Sequence, residues 1–241
     1  MAGLYARRRR SRGGVGRVRV EEGARGRTLR VDGSFASWYR PGQPATGSVW
    51  DALVAPLLAL PQARRQRVLI LGLGGGSAAR LVRAVAPRAR IVGVELSAEV
   101  LAAARKHFDL DAIGVEVVHG DAHAFLRRSR ARFDCVIEDV FVGTARALEK
   151  PAWLPRPGLE LAARRLAAGG LLVANTLDEH LEVRECLQDL LPGLLCIRVE
   201  GYDNRVLVAG PARLDARRLR ASLAQEPALS PALRLFSIRG L

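Results

Sequence analysis

The chain has 241 residues, 49% hydrophobic and 26% charged, which is enough length and apolar content for one sizeable core with short appendages. Its longest uncharged runs, residues 52–63 and 166–177, are broken by Pro56 and Pro61 or by Gly169 and Gly170, so neither reads as a membrane span. The formal charge of +14 sits at the ends: residues 1–30 carry a net +8 and residues 211–241 a net +4, leaving the body nearly neutral.

Residues 1–15, with Arg7 to Arg10 and Arg12, read as a solvated, disordered basic arm. The functional alternative is an arm that makes weak, sequence-indifferent contacts with nucleic-acid phosphates. No apolar stretch follows the arm, so it does not read as a secretory leader, and a cytoplasmic location is expected. Residues 16–62 begin with alternating polar and apolar positions that predict a hairpin, with strands near 16–21 and 28–32. A turn-rich stretch, ASWYRPGQPATGS, leads into an apolar helix from Val49 to Leu60 that Pro61 closes.

Residues 63–210 change character. RVLILGL predicts a strand, GGGS a glycine turn, and AARLVRAVAP a helix stopped by Pro87. ARIVGVEL is a second strand, followed by a helix that Ser97 caps; VEVVHGD is a third strand, AHAFLRRSR a short helix and FDCVIEDV a fourth strand. GLELAARRLAAGG is read as a helix ended by the Gly169, Gly170 pair, before the strand LLVANTL and a helix near 179–191. LLCIRVE and NRVLVAG, joined by a short turn, are an expected antiparallel pair at the sheet edge. Strands alternating with helices of this length require crossovers and hence a parallel sheet covered on both faces. Residues 211–241 are taken as a basic C-terminal extension. Cys135, Cys186 and Cys196 are odd in number and set among apolar neighbours, which suggests buried free thiols rather than a disulfide framework or a metal knuckle.

In an open parallel sheet the ligand lies beyond the carboxyl ends of the strands, where chain order reverses. The polar residues collected there are Gly72, Gly74 and Gly76, then Glu95, Asp121, the pair Glu138 and Asp139, and Asn175. Glycine suits a sharp strand-to-helix turn and keeps side chains away from a ligand approaching the backbone. Glu95, at the end of the second strand, is placed to accept hydrogen bonds from both hydroxyls of a ribose. Together these point to an adenosine-containing ligand. A nicotinamide dinucleotide fits less well, because Ser77 stands where its fingerprint wants a third small residue. Asp121 suits an adenine amino group, and equally the N-cap of the helix that follows. His119 and His123 straddle a strand end and a turn, so no metal site is read there. Trp153, in KPAWLPRP, is either a lid over the acceptor or ordinary loop packing.

RVLILGLGGGSAARLV, IVGVELSAEVLAAARKHF, VEVVHGDAHAFL and FDCVIEDVF, in this order and spacing, resemble class I S-adenosylmethionine-dependent transferases, and more narrowly the spermidine synthase (polyamine aminopropyltransferase) group. The likeness extends upstream to TLRVDGSFAS and covers residues 16–210. It implies an α/β, Rossmann-like class I methyltransferase fold. The expected sheet is mostly parallel and seven-stranded with helices on both faces, preceded by a small N-terminal β-hairpin region. The resemblance also implies S-adenosylmethionine or its decarboxylated form as donor, no metal, a small-molecule acceptor that is an amine in that group, and a homodimer. By the same resemblance Gly72, Gly74 and Gly76 lie against the nucleoside thioether, Glu95 holds the ribose, and Asp121 with Ala122 reads the adenine.

The departures concern the acceptor. The group's fourth strand runs into a D-S-x-D-P motif; here the stretch is Asp139, Val140, Phe141, Val142, Gly143, with Val142 in place of the second acid. Ala36 stands where the group has a glutamine, and Trp50 with Asp51 match its acceptor-binding tyrosine region only loosely. Asp139 and Glu138 are the candidate catalytic carboxylates, with Asp51 a further one, since a cationic amine must be held and must lose a proton. Three readings follow: an aminopropyl or methyl transferase acting on a small nucleophile, a small-molecule methyltransferase, or a nucleoside-binding protein without turnover whose arm engages nucleic acid.

Overall fold

The computed structural model describes residues 17–241; the arm expected at residues 1–15 lies outside the described residues. The first element is a three-stranded antiparallel sheet of β1 (Val18–Gly23), β2 (Gly26–Val31) and β3 (Ser34–Tyr39), in that spatial order. The expected hairpin is therefore one strand short. Asp32 and Gly33 both adopt positive φ, +48° and +81°, the conformation of a tight two-residue hairpin turn, and SFASWY returns as a strand rather than a turn-rich loop.

The helix expected over Val49 to Leu60 is an α-helix only at α1 (Val49–Val54) and continues as a 3-10 turn over Ala55–Ala59. Pro56 has no N–H to extend the α ladder, so the chain tightens there. The alternating section then runs β4 (Arg67–Leu71), α2 (Ser77–Val85), β5 (Arg90–Glu95), α3 (Ala98–His107), β6 (Val115–His119), α4 (Ala122–Arg128) and β7 (Phe133–Glu138). A two-stranded hairpin follows, β8 (Val142–Thr144) with β9 (Ala147–Glu149), then α5 (Gly158–Ala163), β10 (Leu166–Thr176), α6 (His180–Leu190), β11 (Gly193–Val199) and β12 (Arg205–Gly210). The chain closes with α7 (Ala216–Ala224) and β13 (Phe236–Gly240).

The central sheet has eight strands in the order β13-β11-β12-β10-β7-β4-β5-β6, one more than expected. Five of them, β10-β7-β4-β5-β6, are parallel, and β12, β11 and β13 add antiparallel. The eighth strand comes from residues 211–241: β13 pairs with β11, and Leu219, Leu223, Leu229 and Phe236 are buried. That segment is therefore part of the packed domain.

Alternation along the strands divides the core. Val68 and Ile70 face α1, α2 and α7, while Leu69 and Leu71 face α4, α5 and α6. The N-terminal sheet packs separately, with Leu29 and Tyr39 against Val100 and Phe108 of the α3 region.

A second correction concerns Gly169 and Gly170. They do not end a helix, because α5 stops at Ala163 and both glycines lie inside β10. The register with β7 shifts between Leu166 and Leu171, Gly169 has φ of +72°, and a side chain on Gly170 would press on the Asp134 carbonyl at 3.0 Å. The pair is a bulge in a long strand. The three cysteines are free; Cys135 and Cys186 are buried and Cys196 is half-buried. No helix among the described residues is long and apolar enough to cross a membrane.

Candidate functional site

Chain order reverses at β4, whose neighbours are β5 on one side and β7 on the other. The carboxyl ends of these strands open onto a cavity of about 650 Å³, as expected for an open parallel sheet. Gly72, Gly74, Glu95, Asp121, Ala122, Asp139 and Asn175 all line it.

The first glycine is required by its surroundings. Gly72 has φ of +83°, and a Cβ there would collide with the Asp139 carbonyl, because β7 runs on directly beside the turn. Gly74 donates its N–H to Glu95 Oε2 at 2.8 Å, while Ser97 N–H donates to Glu95 Oε1 at 3.0 Å. The Glu95 carboxylate is thus fixed by two backbone donors and keeps free lone pairs on both oxygens. Gly76 is not a lining residue; it precedes α2, and a side chain there would run into Leu110 and Ile113.

Asp121 caps α4, its Oδ1 accepting the Ala124 N–H at 2.7 Å. Trp153 stacks on His123 with ring centroids 5.3 Å apart and planes 9° from parallel. It lines the cavity beside the start of α4.

Asp139 forms the opposite end. Its Oδ1 accepts from Asn175 Nδ2 at 2.7 Å and its Oδ2 from Trp50 Nε1 at 3.2 Å, and Asn204 Nδ2 in turn donates to Asn175 Oδ1 at 2.9 Å. Burial pushes the Asp139 carboxyl up to about 6, with Glu138 adding to the rise against the opposing pull of Asn175, Lys150 and Trp50. Every neutral donor here is already aimed at the ionised form.

Two expected carboxylates are occupied elsewhere. Glu138 is 1% exposed and does not line the cavity; its oxygens take Lys150 Nζ at 2.8 and 2.9 Å, and Oε1 also accepts the Val140 N–H at 2.7 Å. Successive residues of a strand point to opposite faces, so only one member of the Glu138, Asp139 pair can face the crevice. Burial raises the Glu138 carboxyl and Lys150 draws it back down. Asp51 is fully buried, accepting from Thr46 N–H, Thr46 Oγ1 and Gly47 N–H at 2.7–2.8 Å, and it holds the turn before α1.

Ser37, Phe35, Leu148, Tyr202 and Asn204 carry no sequence signal, whereas Ala36 and Val142 stand out in the sequence as departures from the resembled group. Ser37 Oγ accepts the Gly75 N–H at 2.6 Å, and Ser77 Oγ bonds both the N–H and the carbonyl of Trp38, at 2.9 and 2.8 Å. These bonds fasten β3 to the glycine turn and make Phe35 and Ala36 part of the cavity wall. Val142, on β8, is 40% exposed at the rim; Leu148, Tyr202 and Asn204 complete that half.

The sheet order, the glycine turn and a carboxylate at each of three strand ends define a class I methyltransferase-fold protein. Residues 68–170 match the methyltransferase domain family. The chain is 28% identical over 174 residues to a probable polyamine aminopropyl transferase of Bifidobacterium longum, a stretch that is 68% of this chain and 37% of that protein. It thus spans little more than a third of that relative. Its fold is that of a probable spermidine synthase from Corynebacterium glutamicum, with a TM-score of 0.72, 24% identity, and coverage of 92% of this chain and 87% of the other. Human methyltransferase-like protein 13, solved in complex with SAH, superposes with a TM-score of 0.64 at 24% identity, covering 77% of this chain and 92% of that one. The chain has the class I methyltransferase fold and is similar over part of its length to polyamine aminopropyltransferases.

Proposed function

We propose that the cavity binds an adenosyl sulfonium donor, S-adenosylmethionine or its decarboxylated form, and that the protein is a transferase moving an alkyl group, aminopropyl or methyl, to a small nucleophile. The observation that carries this reading is the line of three carboxylates, Glu95, Asp121 and Asp139, along one crevice beside a glycine turn that admits no side chain. The residues present fit such a donor. Glu95 is rigidly held with lone pairs to spare for two ribose hydroxyls, and Asp121 keeps Oδ2 for an adenine amino group while Oδ1 caps α4.

The donor supplies a carbon bonded to positively charged sulfur, a ready leaving group. The chain supplies position, exclusion of water and one base. Trp50 and Asn175 fix the Asp139 carboxylate in one orientation, and its raised affinity for a proton suits it to take one from an incoming nucleophile near neutral pH. Glu138, locked to Lys150, acts by anchoring the start of the loop that carries Val140 to Val142.

Calorimetry with S-adenosylmethionine, its decarboxylated form and methylthioadenosine tests the donor site. At least one is expected to bind, and Glu95→Gln to weaken it roughly tenfold or more, the loss of hydrogen bonds to a charged acceptor. Absence of binding by all three overturns the reading.

A further inference from the structure

Resting on that reading, we infer that the acceptor is a monoamine carried on an apolar body of about the size of an aromatic ring, and not a diamine or polyamine. Its single ammonium docks on Asp139, and its body lies against Phe35, Phe141, Val142 and Leu148.

The charges lining the cavity are few and unevenly placed: one cation, Arg30, which is paired with Glu21 at 2.9 Å, and three carboxylates. Glu95 and Asp121, at the ends of β5 and β6, belong to the nucleoside half. Among the described residues Asp139 is the one carboxylate lining the other half, and its polar partners Trp50 and Asn175 are both neutral. The nearby cation, Lys150, is spent on Glu138 and on the Val140 carbonyl at 3.1 Å. Asp139 is therefore left as a negative charge with room for one cationic partner, beside the rings of Trp50 and Tyr202 that suit an ammonium.

The rest of this half is apolar. Phe35 stands edge-on to Trp50 with centroids 4.8 Å apart, and Phe35 and Val142 stay 38% and 40% exposed at the rim. Exposed apolar side chains around a crevice mark a surface that gains by burying an apolar ligand. A second ammonium would sit among Val142, Leu148 and Phe141 with no carboxylate to meet it, and a desolvated, unpaired cation is strongly disfavoured.

In the transfer, the ammonium first gives one proton to the Asp139 carboxylate. The freed nitrogen lone pair then bonds the donor carbon, the carbon–sulfur bond breaks, and its electron pair stays on sulfur, leaving a neutral thioether and an alkylated ammonium. Asp139 afterwards releases its proton to water.

The test compares 4-phenylbutylamine with 1,4-diaminobutane, each supplied with either sulfonium donor, in the wild type and in Val142→Asp. Methylthioadenosine binding is measured on the same preparations. The wild type is expected to alkylate the phenyl amine with kcat/KM on the order of tenfold or more above the diamine, the discrimination set by one unpaired charge. Val142→Asp, a substitution at the exposed rim, is expected to shift that ratio toward the diamine by a similar factor. A wild type that prefers the diamine, or uses neither amine while binding methylthioadenosine, overturns the acceptor assignment alone, as does a ratio that Val142→Asp leaves unchanged. Failure to bind the nucleoside overturns the donor reading, and this one with it.

Discussion

Replacing Asp139 by Asn should stabilise the folded protein at neutral pH while abolishing its use as a base. The carboxyl is raised from an ordinary 3.8 to about 6, chiefly by burial, so at pH 7 its ionised form costs the fold ~3 kcal/mol. The sign follows from proton affinity: the folded state holds this proton more tightly than the unfolded chain. The stability the carboxyl contributes is thus fully present below pH 3.8 and is lost as pH rises through about 6. Asn removes the charge but turns one oxygen into an NH2 group facing either Trp50 Nε1 or Asn175 Nδ2, a mismatch costing ~1–2 kcal/mol. The net expectation at pH 7 is a gain of ~1–2 kcal/mol for the variant, with the difference between variant and wild type growing by ~2 kcal/mol between pH 4.5 and pH 7. Urea denaturation of both proteins across that range measures it, and the comparison cancels the titration of every other carboxylate. A variant less stable than the wild type at pH 7, or a difference that does not move with pH, refutes the account of Asp139 as a half-buried charge whose neutral donors only partly offset its loss of water.

Lys150→Met strands Glu138 in the core and should cost ~3–5 kcal/mol in urea denaturation, with the double variant Glu138→Gln, Lys150→Met recovering most of it; a loss below ~1 kcal/mol for the single variant would show the pair to be unimportant to the fold. Gly72→Ala combines positive φ with a collision on the Asp139 carbonyl, whereas Gly42→Ala, at φ of +74°, meets nothing within 4 Å. The first should therefore cost ~2 kcal/mol or more beyond the second in chemical denaturation, and should weaken methylthioadenosine binding. Equal costs at the two glycines would contradict the close approach of β7 to the turn.

The sequence was misleading where one local signal served two structures. Gly169 and Gly170 follow an apolar, helix-forming run and so resemble a C-terminal stop, yet the chain had already turned at Ala163 and the pair bends a strand. SFASWY forms a strand because it pairs with β2, although the glycines and prolines that follow it signal a turn-rich loop. The arginines of the C-terminal segment suggest a solvated extension, but Leu219, Leu223, Leu229 and Phe236 pack it into the core.

What the residues alone determined is the parallel part of the sheet and the proposed nucleoside half of the site. Glycines and carboxylates placed at strand ends are tied to backbone geometry over a few residues, so the positions of Gly72, Gly74, Glu95, Asp121 and Asp139 on the crevice follow from local sequence. What only the tertiary structure decided is the proposed acceptor half. That region is assembled from β3, α1, β7, the β8–β9 hairpin, β10 and the β11–β12 turn, segments far apart in the chain. The choice between Glu138 and Asp139 depended on which face of β7 meets Lys150, and the engagement of Asp51 depended on the turn folded over it. Contacts between distant segments have no local period or spacing, and for that reason they left no mark in the sequence to be read.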